Sequence, residues 1–356
     1  MVEELHQELT LLFTVGTLLV QFYVGYLIIL HTPKNMQDYK YFLILLLISD
    51  VLFTFTVGIV LQPYPLEYSA VQGKGLCCYY KEVLCVLSGS ASLGFGAIVV
   101  TFQIYALLFR CLAIIPDRRL YNLYLSLPLK IALMILALSI QTTIGYFFYA
   151  VNYRRDYVEM HPNSLLKVLQ AIFVCFRQYI DLRNKLNPDD ALLFMDIYDT
   201  FTRRYVLSLF GCVGFAETIS VIMVIGVLGY LRKHSSLFSK ATYRLHLQFT
   251  VLLAMQISNL ACHTLISVVS FYVYQLAYHH KFDKEYVKTG FLCLTIYGFA
   301  NGFLTLVFVG PYRKCAKQQL IDPVLKLAGV WKKVYTMDPV SNVRTTEGVS
   351  GNTNFA

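Results

Sequence analysis

The sequence predicts an all-α fold, a bundle of seven transmembrane helices. Seven long apolar runs are separated by polar segments, and all of the 30 Lys and Arg residues lie outside these runs. Hydrophobic residues make up 57% of the chain and charged residues 14%, with a mean hydropathy of +0.56. This composition excludes an ordinary soluble domain. Because hydrocarbon offers the backbone no hydrogen-bond partners, continuous spans of this kind must be helical.

Each run is long enough to cross the membrane, since about 20 helical residues span about 30 Å of hydrocarbon. The strands of a membrane β-barrel would instead be about ten residues long, with alternating polarity. In chain order, the predicted spans are Leu11–Leu30, Tyr41–Leu61, Val83–Phe109, Ile131–Val151, Tyr205–Leu231, Leu247–Tyr274 and Thr289–Val309.

The charges between the spans predict the orientation. The segment before span one carries Glu but no Lys or Arg, whereas the connections 31–40, 110–130 and 232–246 have an excess of basic residues. Basic connections stay in the cytoplasm, so the amino terminus is predicted to be outside and the carboxyl terminus cytoplasmic. Residues 1–315 are predicted to form the seven-helix domain. Residues 316–356 are predicted to form a tail, with a membrane-surface helix followed by a disordered end.

The segment 152–204 is predicted to be a long second outer loop. Its apolar stretch 165–176 is too short to span and is expected to form an amphipathic lid. Cys175 is the only cysteine of this loop, and Cys77 and Cys78 precede span three on the same side. Because outer loops face an oxidising compartment, we predict a disulfide bond from Cys175 to either Cys77 or Cys78. The alternative is that the latter two pack as small apolar residues.

Two acidic residues, Asp50 and Glu217, lie inside the spans. Asp50 in span two and Asn301 in span seven each lie about ten residues from the inner helix end, roughly 15 Å deep. We therefore expect these two residues to meet near mid-membrane as a polar switch. Glu217 lies at a comparable depth in span five, where the cost of an ionisable group indicates a functional role. A protonated carboxyl that hydrogen-bonds within the bundle is the alternative.

Span six carries Gln256, Asn259 and His263 on one helical face, at positions i, i+3 and i+7. This face is predicted to point into the bundle. Gln256 and Asn259 lie in the inner half and are expected to hold neighbouring helices together. His263 lies closer to the outer opening and, with Glu217, is predicted to contact a ligand.

Several functional classes fit the sequence poorly. His263 is the only histidine in any predicted span, and the two acids lie on separate helices. We therefore predict no metal, no cofactor and no enzymatic activity. The basic residues border the membrane instead of forming a patch, which argues against nucleic-acid binding. A transporter and a ligand-gated ion channel are the alternatives to a receptor, although the sequence shows no internal repeat or paired broken helices.

Four stretches carry a resemblance to a known family. They are TPKNMQDYKYFLILLLISD leading into span two, LQPYPL (Leu61–Leu66), SKATYRLHLQFTVLLAMQ (Ser239–Gln256) and NGFLTLVFVGPYRK (Asn301–Lys314). In these stretches, and over essentially its whole length, the chain resembles the nematode serpentine chemoreceptors. These are seven-helix, G-protein-coupled receptor-like proteins of the Str superfamily. The chain looks most like class i, with class h next.

The resemblance implies a chemosensory receptor in the plasma membrane of sensory-neuron cilia. Such a receptor would bind an unidentified small molecule or peptide and signal to a heterotrimeric G protein, alone or paired with another receptor. Four basic residues at inner helix ends are then candidates for contact with the G protein: Arg110, Arg232, Lys233 and Arg313. Rhodopsin-like receptors place an acid beside the arginine that ends span three. Here Leu108 and Phe109 precede Arg110, so an ionic lock of that type is not expected.

Overall fold

The computed structural model of the protein describes residues 2–32, 37–65, 70–79, 82–115, 118–160, 192–194, 200–264 and 284–323. Within these ranges, seven helices are long and apolar enough to cross a membrane, which confirms the predicted all-α bundle. The chain divides into two compact units, Met1–Tyr312 and Arg313–Ala356.

Five of the seven spanning helices are longer than the apolar runs that predict them, because their ends continue into polar residues. In chain order the described helices are α1 (Val2–His31), α2 (Gln37–Phe55), α3 (Glu82–Ile114), α4 (Arg118–Leu125), α5 (Leu127–Met160), α6 (Thr200–Lys233), α7 (Lys240–Thr264), α8 (Lys284–Phe308) and α9 (Gly310–Ala316). Thus α1, α2, α3, α5, α6, α7 and α8 are the seven spans. A π-helical segment, Thr56–Leu61, extends α2.

Helix α3 is central to the bundle and packs against α2, α5, α6 and α7. Its serines Ser88, Ser90 and Ser92 are buried and donate hydrogen bonds to carbonyls one turn earlier in the same helix, so none of these hydroxyls needs a partner elsewhere. A Cβ on Gly94 would lie 2.6 Å from the side chain of Gln141 in α5. The absence of a side chain at Gly94 therefore allows α3 and α5 to approach closely.

A small antiparallel sheet lies at one end of the bundle, which we call the sheet end. It consists of β1 (Pro63–Pro65), β2 (Ala70–Gly73) and β3 (Leu192–Phe194), in the order β1-β2-β3. Tyr64 pairs with Gln72, and Gln72 pairs with Leu192. The sequence pattern does not predict these strands. Because β3 comes from the segment between α5 and α6, the sheet attaches part of the predicted outer loop to the bundle.

The turn after β2 packs tightly against the end of the π-helical segment. The backbone N–H groups of Lys74 and Gly75 both donate to the carbonyl of Leu61, at 3.1 Å in each case. A Cβ on Gly75 would lie 2.4 Å from the carbonyl oxygens of Ile59 and Val60. Only glycine fits at this position without displacing the backbone.

The disulfide bond at the sheet end joins Cys77 and Cys85. The prediction that Cys77 pairs with Cys175 is therefore wrong. The physical reason is local: a 3-10 turn (Leu76–Tyr79) leads directly into α3, and the two Cα atoms come within 5.0 Å. The other predicted bond, from Cys78 to Cys175, stays a prediction because Cys175 lies outside the described residues.

We call the opposite end of the bundle the arginine end, after Arg110 in the last turns of α3. There the hydroxyls of Thr32 and Tyr312 lie 2.8 Å apart and join the residue after α1 to α9. Tyr312 is fully buried, and this burial raises the pKa of its hydroxyl. Tyr124 in α4 is also buried, donates to the carbonyl of Tyr105 at 2.8 Å and has a raised pKa for the same reason.

The second unit contains the end of α9 and a π-helical segment, Lys317–Ile321. The predicted membrane-surface helix extends past residue 323, and the predicted disordered end lies past it, so both fall outside the described residues. The predicted amphipathic lid, residues 165–176, lies outside them as well. Of the predicted outer loop 152–204, the structure places the first residues in α5 and the last in α6.

Candidate functional site

A hydrogen-bonded cluster of polar side chains occupies the middle of the bundle, and Asn301 is its centre. The Nδ2 atom of Asn301 donates to Oδ2 of Asp50 at 3.1 Å and to the hydroxyl of Tyr297 at 2.7 Å. Its Oδ1 atom accepts from Nδ2 of Asn259 at 3.0 Å. One side chain of α8 therefore joins α2 to α7. The expected meeting of Asp50 with Asn301 is present.

Tyr297 extends the cluster toward α3. Its hydroxyl lies 3.5 Å from Nε2 of Gln103, and its backbone carbonyl accepts from Asn259 at 3.2 Å. We call Asp50, Gln103, Asn259, Tyr297 and Asn301 the central polar network. All except Asn259 are buried, with 6% or less of their surface exposed. A polar group that lost its partner here would cost about 1–3 kcal/mol, so the network favours a single arrangement of the four helices.

The polar face of α7 behaves as the sequence predicts for two of its three residues. Gln256 donates to the hydroxyl of Thr305 in α8 at 3.3 Å, and Asn259 belongs to the central polar network. Both residues thus connect neighbouring helices. His263 lies one turn beyond Asn259, its Nδ1 atom 2.7 Å from that residue's carbonyl, and its ring packs edge-on against Tyr297 at 6.0 Å. The remaining ring nitrogen of His263 is the atom that could face a ligand.

Glu217 in α6 differs from every member of the network. Both of its carboxylate oxygens are shielded from solvent, and neither has a hydrogen-bond partner. The carboxylate is close enough to the hydroxyl of Tyr297 to interact with it electrostatically. A buried carboxyl without a partner is unfavourable, and a ligand that supplies a hydrogen-bond donor or a positive charge would remove that cost.

Two members of the network, Gln103 and Tyr297, were not singled out by the sequence analysis. Tyr297 precedes Asn301 by four residues and therefore lies on the same helical face, a signal that could have identified it. Gln103 is the only amide side chain of α3, and its isolation in an apolar run is a comparable signal. The unpartnered atoms Oδ1 of Asp50 and Oε1 of Gln256 add to the polarity of the region.

Arg110 lies at the arginine end in a cage of aromatic rings. Its guanidinium carbon is 3.8 Å from the centre of the Tyr39 ring, 4.4 Å from that of Phe249 and 5.6 Å from that of Phe109. Arg110 is only 4% exposed, and its Nε and Nη2 atoms have no hydrogen-bond partner. Contacts of this kind stabilise a desolvated cation by about 2 kcal/mol. In this conformation Arg110 is therefore not available to a partner protein.

The other basic residues predicted to contact a G protein are exposed. Arg232 and Lys233 form the end of α6. Arg313 is exposed in α9 and belongs to the second unit. Within the described ranges, no group of three or more His, Cys, Asp or Glu residues could hold a metal ion.

Comparison with known proteins gives one family. The model of the family described as serpentine type 7TM GPCR chemoreceptor Srh matches residues 4–321 of the chain. This match confirms the resemblance to the serpentine chemoreceptors but does not support the ranking of class i before class h. No curated protein matches the chain.

Proposed function

The chain belongs to the Srh family of serpentine seven-transmembrane chemoreceptors, and on that basis we propose that it binds a chemical ligand at the sheet end and signals to a heterotrimeric G protein at the arginine end. It is a multi-pass membrane protein of a receptor family, not of an enzyme class. The observation that carries the proposal is the central polar network, because it joins α7 to α2 and α3 midway between the two ends.

The proposed ligand site lies between the central polar network and the sheet end. Glu217 and His263 are the residues that would contact the ligand. Glu217 supplies two unpartnered oxygens, and His263 packs against Tyr297. A small molecule or peptide with a hydrogen-bond donor or a cationic group fits this arrangement best, since it would pair the buried carboxyl. A ligand that pairs with Glu217 would alter its electrostatic interaction with Tyr297, whose hydroxyl accepts a hydrogen bond from Asn301.

Asp50 and Asn301 act as the polar switch in this account. They have a single hydrogen bond between them, and Asp50 Oδ1 is unpartnered, so a second arrangement with different partners is chemically accessible. A ligand can shift such an equilibrium only as far as it binds the two arrangements differently. Movement of α7 would accompany the shift because Asn259 is bonded to Asn301.

Two observations support an orientation with the sheet end outside the cell. The connections at the arginine end carry the basic excess that favours the cytoplasm. The sheet end holds the disulfide bond between Cys77 and Cys85, and such bonds persist in oxidising compartments. An epitope tag before Glu3 should bind antibody on intact cells, whereas a tag after Ala356 should require permeabilisation. The reverse pattern would contradict the orientation.

The ligand proposal is tested by expression in a heterologous cell that carries a calcium or cyclic-nucleotide reporter, screened with odorants and pheromone-like molecules. The expected result is a ligand whose response is lost in Glu217→Gln and retained in Glu8→Gln, a matched control at an exposed position of α1. An unchanged response in Glu217→Gln would remove Glu217 from the ligand site.

The cellular part of the proposal is a location in the plasma membrane of sensory-neuron cilia, where the receptor acts alone or with a second receptor. A fluorescent fusion expressed from the native promoter should concentrate in cilia. Uniform distribution over the cell body would contradict this location. Uptake of the ligand into vesicles that lack G protein would favour transport over signalling.

A further inference from the structure

The aromatic cage around Arg110 is assembled from three helices. Tyr39 comes from α2, Phe109 and Arg110 itself from α3, and Phe249 from α7. The rings of Tyr39 and Phe249 also contact each other, with centres 4.5 Å apart at an angle of 65°. A guanidinium group between two rings of different helices connects those helices through itself, so α7 cannot leave α2 at this end without uncovering Arg110.

The cage leaves the charge of Arg110 incompletely satisfied. The aromatic faces attract the cation, but Nε and Nη2 have no hydrogen-bond partner. His246 in α7 interacts electrostatically with Arg110, and the Nδ1 atom of His246 also has no hydrogen-bond partner. A buried cation with free N–H groups would gain hydrogen bonds on reaching water or a partner's oxygens. The guanidinium of Arg110 would therefore be better solvated if α7 moved away from α2 and α3 than it is in the closed arrangement.

We propose that the cage of Tyr39, Phe109 and Phe249 is an aromatic lock that holds α7 against α2 and α3 at the arginine end, and that its opening exposes Arg110. The lock needs no acidic residue. It can therefore hold the arginine end closed in this chain, where Leu108 and Phe109 precede Arg110 in place of an acid. Only the consequence of the lock for signalling rests on the proposed function. The closure of α7 against α2 and α3 does not depend on a ligand or a G protein.

Two opposed effects make the lock testable. Removal of one aromatic ring should open the arginine end, because the guanidinium of Arg110 then loses the attraction of that ring face. Removal of the charge should leave the end closed, because no charged group then remains to be expelled and an apolar side chain has no such cost of burial. The effect of the aromatic substitution should therefore depend on the presence of Arg110.

The experiment measures amide hydrogen exchange over residues 242–250, the start of α7, in the full-length protein in lipid nanodiscs. Phe249→Leu should raise the exchange rate about thirtyfold, as expected for the loss of one desolvated cation–π contact of about 2 kcal/mol. Arg110→Met should change it less than about twofold, and the double variant should behave like Arg110→Met. Tyr39→Phe keeps the ring face over the guanidinium and should therefore raise exchange much less than Phe249→Leu.

Controls distinguish the lock from a general loss of packing. Phe303→Leu makes the same chemical change at a side chain that is 54% exposed in α8 and should leave exchange unchanged. An equal rise in exchange for Phe249→Leu with and without Arg110 would show that Phe249 only fills space, and would overturn the lock. No rise in Phe249→Leu would overturn it too.

Signalling provides the second readout. In reporter cells, Phe249→Leu should raise ligand-free signalling severalfold, and the double variant with Arg110→Met should not. Faster exchange in Phe249→Leu without any G-protein response would support the lock and count against coupling to a G protein. The two failures are therefore distinguishable.

Discussion

The two ends of the bundle are closed by different kinds of interaction. At the sheet end, the disulfide bond between Cys77 and Cys85 and the pairing of β1, β2 and β3 connect α2, α3 and the segment that precedes α6. At the arginine end, aromatic rings surround the guanidinium of Arg110, whose Nε and Nη2 atoms have no hydrogen-bond partner. Covalent and backbone hydrogen bonds define one geometry, whereas a cation–π contact requires only that the cation lie over the face of the ring. The difference indicates a fixed sheet end and an arginine end that can open.

The central polar network lies between these ends, and its loss should have the largest effect on stability. Asn301→Leu removes the hydrogen bonds to Asp50, Tyr297 and Asn259 and leaves buried polar atoms without partners. We expect a loss of about 3 kcal/mol in the free energy of unfolding, measured by denaturant titration in detergent. Asn122→Leu, at an exposed position of α4, is the matched control. Equal stability of the two variants would show that the network contributes nothing to the fold.

The disulfide bond should contribute slightly less. Replacement of Cys77 and Cys85 together by serine opens a short loop and should lower the free energy of unfolding by about 2–3 kcal/mol. Reductant should destabilise the wild type by a similar amount and leave the double variant unaffected. Cys262→Ser, at an exposed free thiol of α7, should behave like the wild type. A double variant as stable as the wild type would mean that the sheet alone holds this end.

The smallest expected effect is at the hydrogen bond between Thr32 and Tyr312. Tyr312→Phe should cost about 1 kcal/mol. Thr32→Val removes the same bond together with the hydrogen bond that Thr32 donates to the carbonyl of Ile28, so the double variant should lose no more stability than Thr32→Val alone. Burial raises the pKa of Tyr312, so the folded state favours the neutral hydroxyl. The stabilisation should therefore persist below the unfolded tyrosine pKa of about 10 and decline as the pH rises past it. Additive losses in the double variant would show that the two hydroxyls act separately.

The sequence was most informative where a polar residue stands alone in an apolar run. Asp50 and Asn301 could be placed at one depth by counting residues from the helix ends, and the structure brings them within 3.1 Å. Asn259 could be assigned to a helix contact from its spacing. In each case the cost of a polar group in hydrocarbon restricts where the side chain can lie. The position of such a residue within its apolar run is therefore nearly sufficient to predict its contacts.

The features that escaped prediction depend on tertiary contacts between common residues. Tyr39 and Phe249 are two among 27 Tyr and 25 Phe, and nothing in their spacing links them to Arg110. Cys85 lies inside the predicted span three, and the sequence does not reveal that the 3-10 turn Leu76–Tyr79 brings Cys77 back against it. The strands β2 and β3 are too short and too far apart in the chain for alternation to reveal their pairing.

The central claim is that the arginine end opens while the sheet end stays fixed, and distances between spin labels at the two ends test it most directly. In a background that retains only the cysteines Cys77 and Cys85, one label pair is placed at exposed positions of the arginine end, Leu120→Cys in α4 and Arg244→Cys in α7. A second pair lies nearer the sheet end, Leu87→Cys in α3 and a restored Cys262 in α7.

Each label pair is measured with Phe249 intact and with Phe249→Leu. We expect the distance between positions 120 and 244 to lengthen and broaden in Phe249→Leu, and the distance between positions 87 and 262 to stay the same. Equal changes at both ends, or no change at the arginine end, would contradict the account.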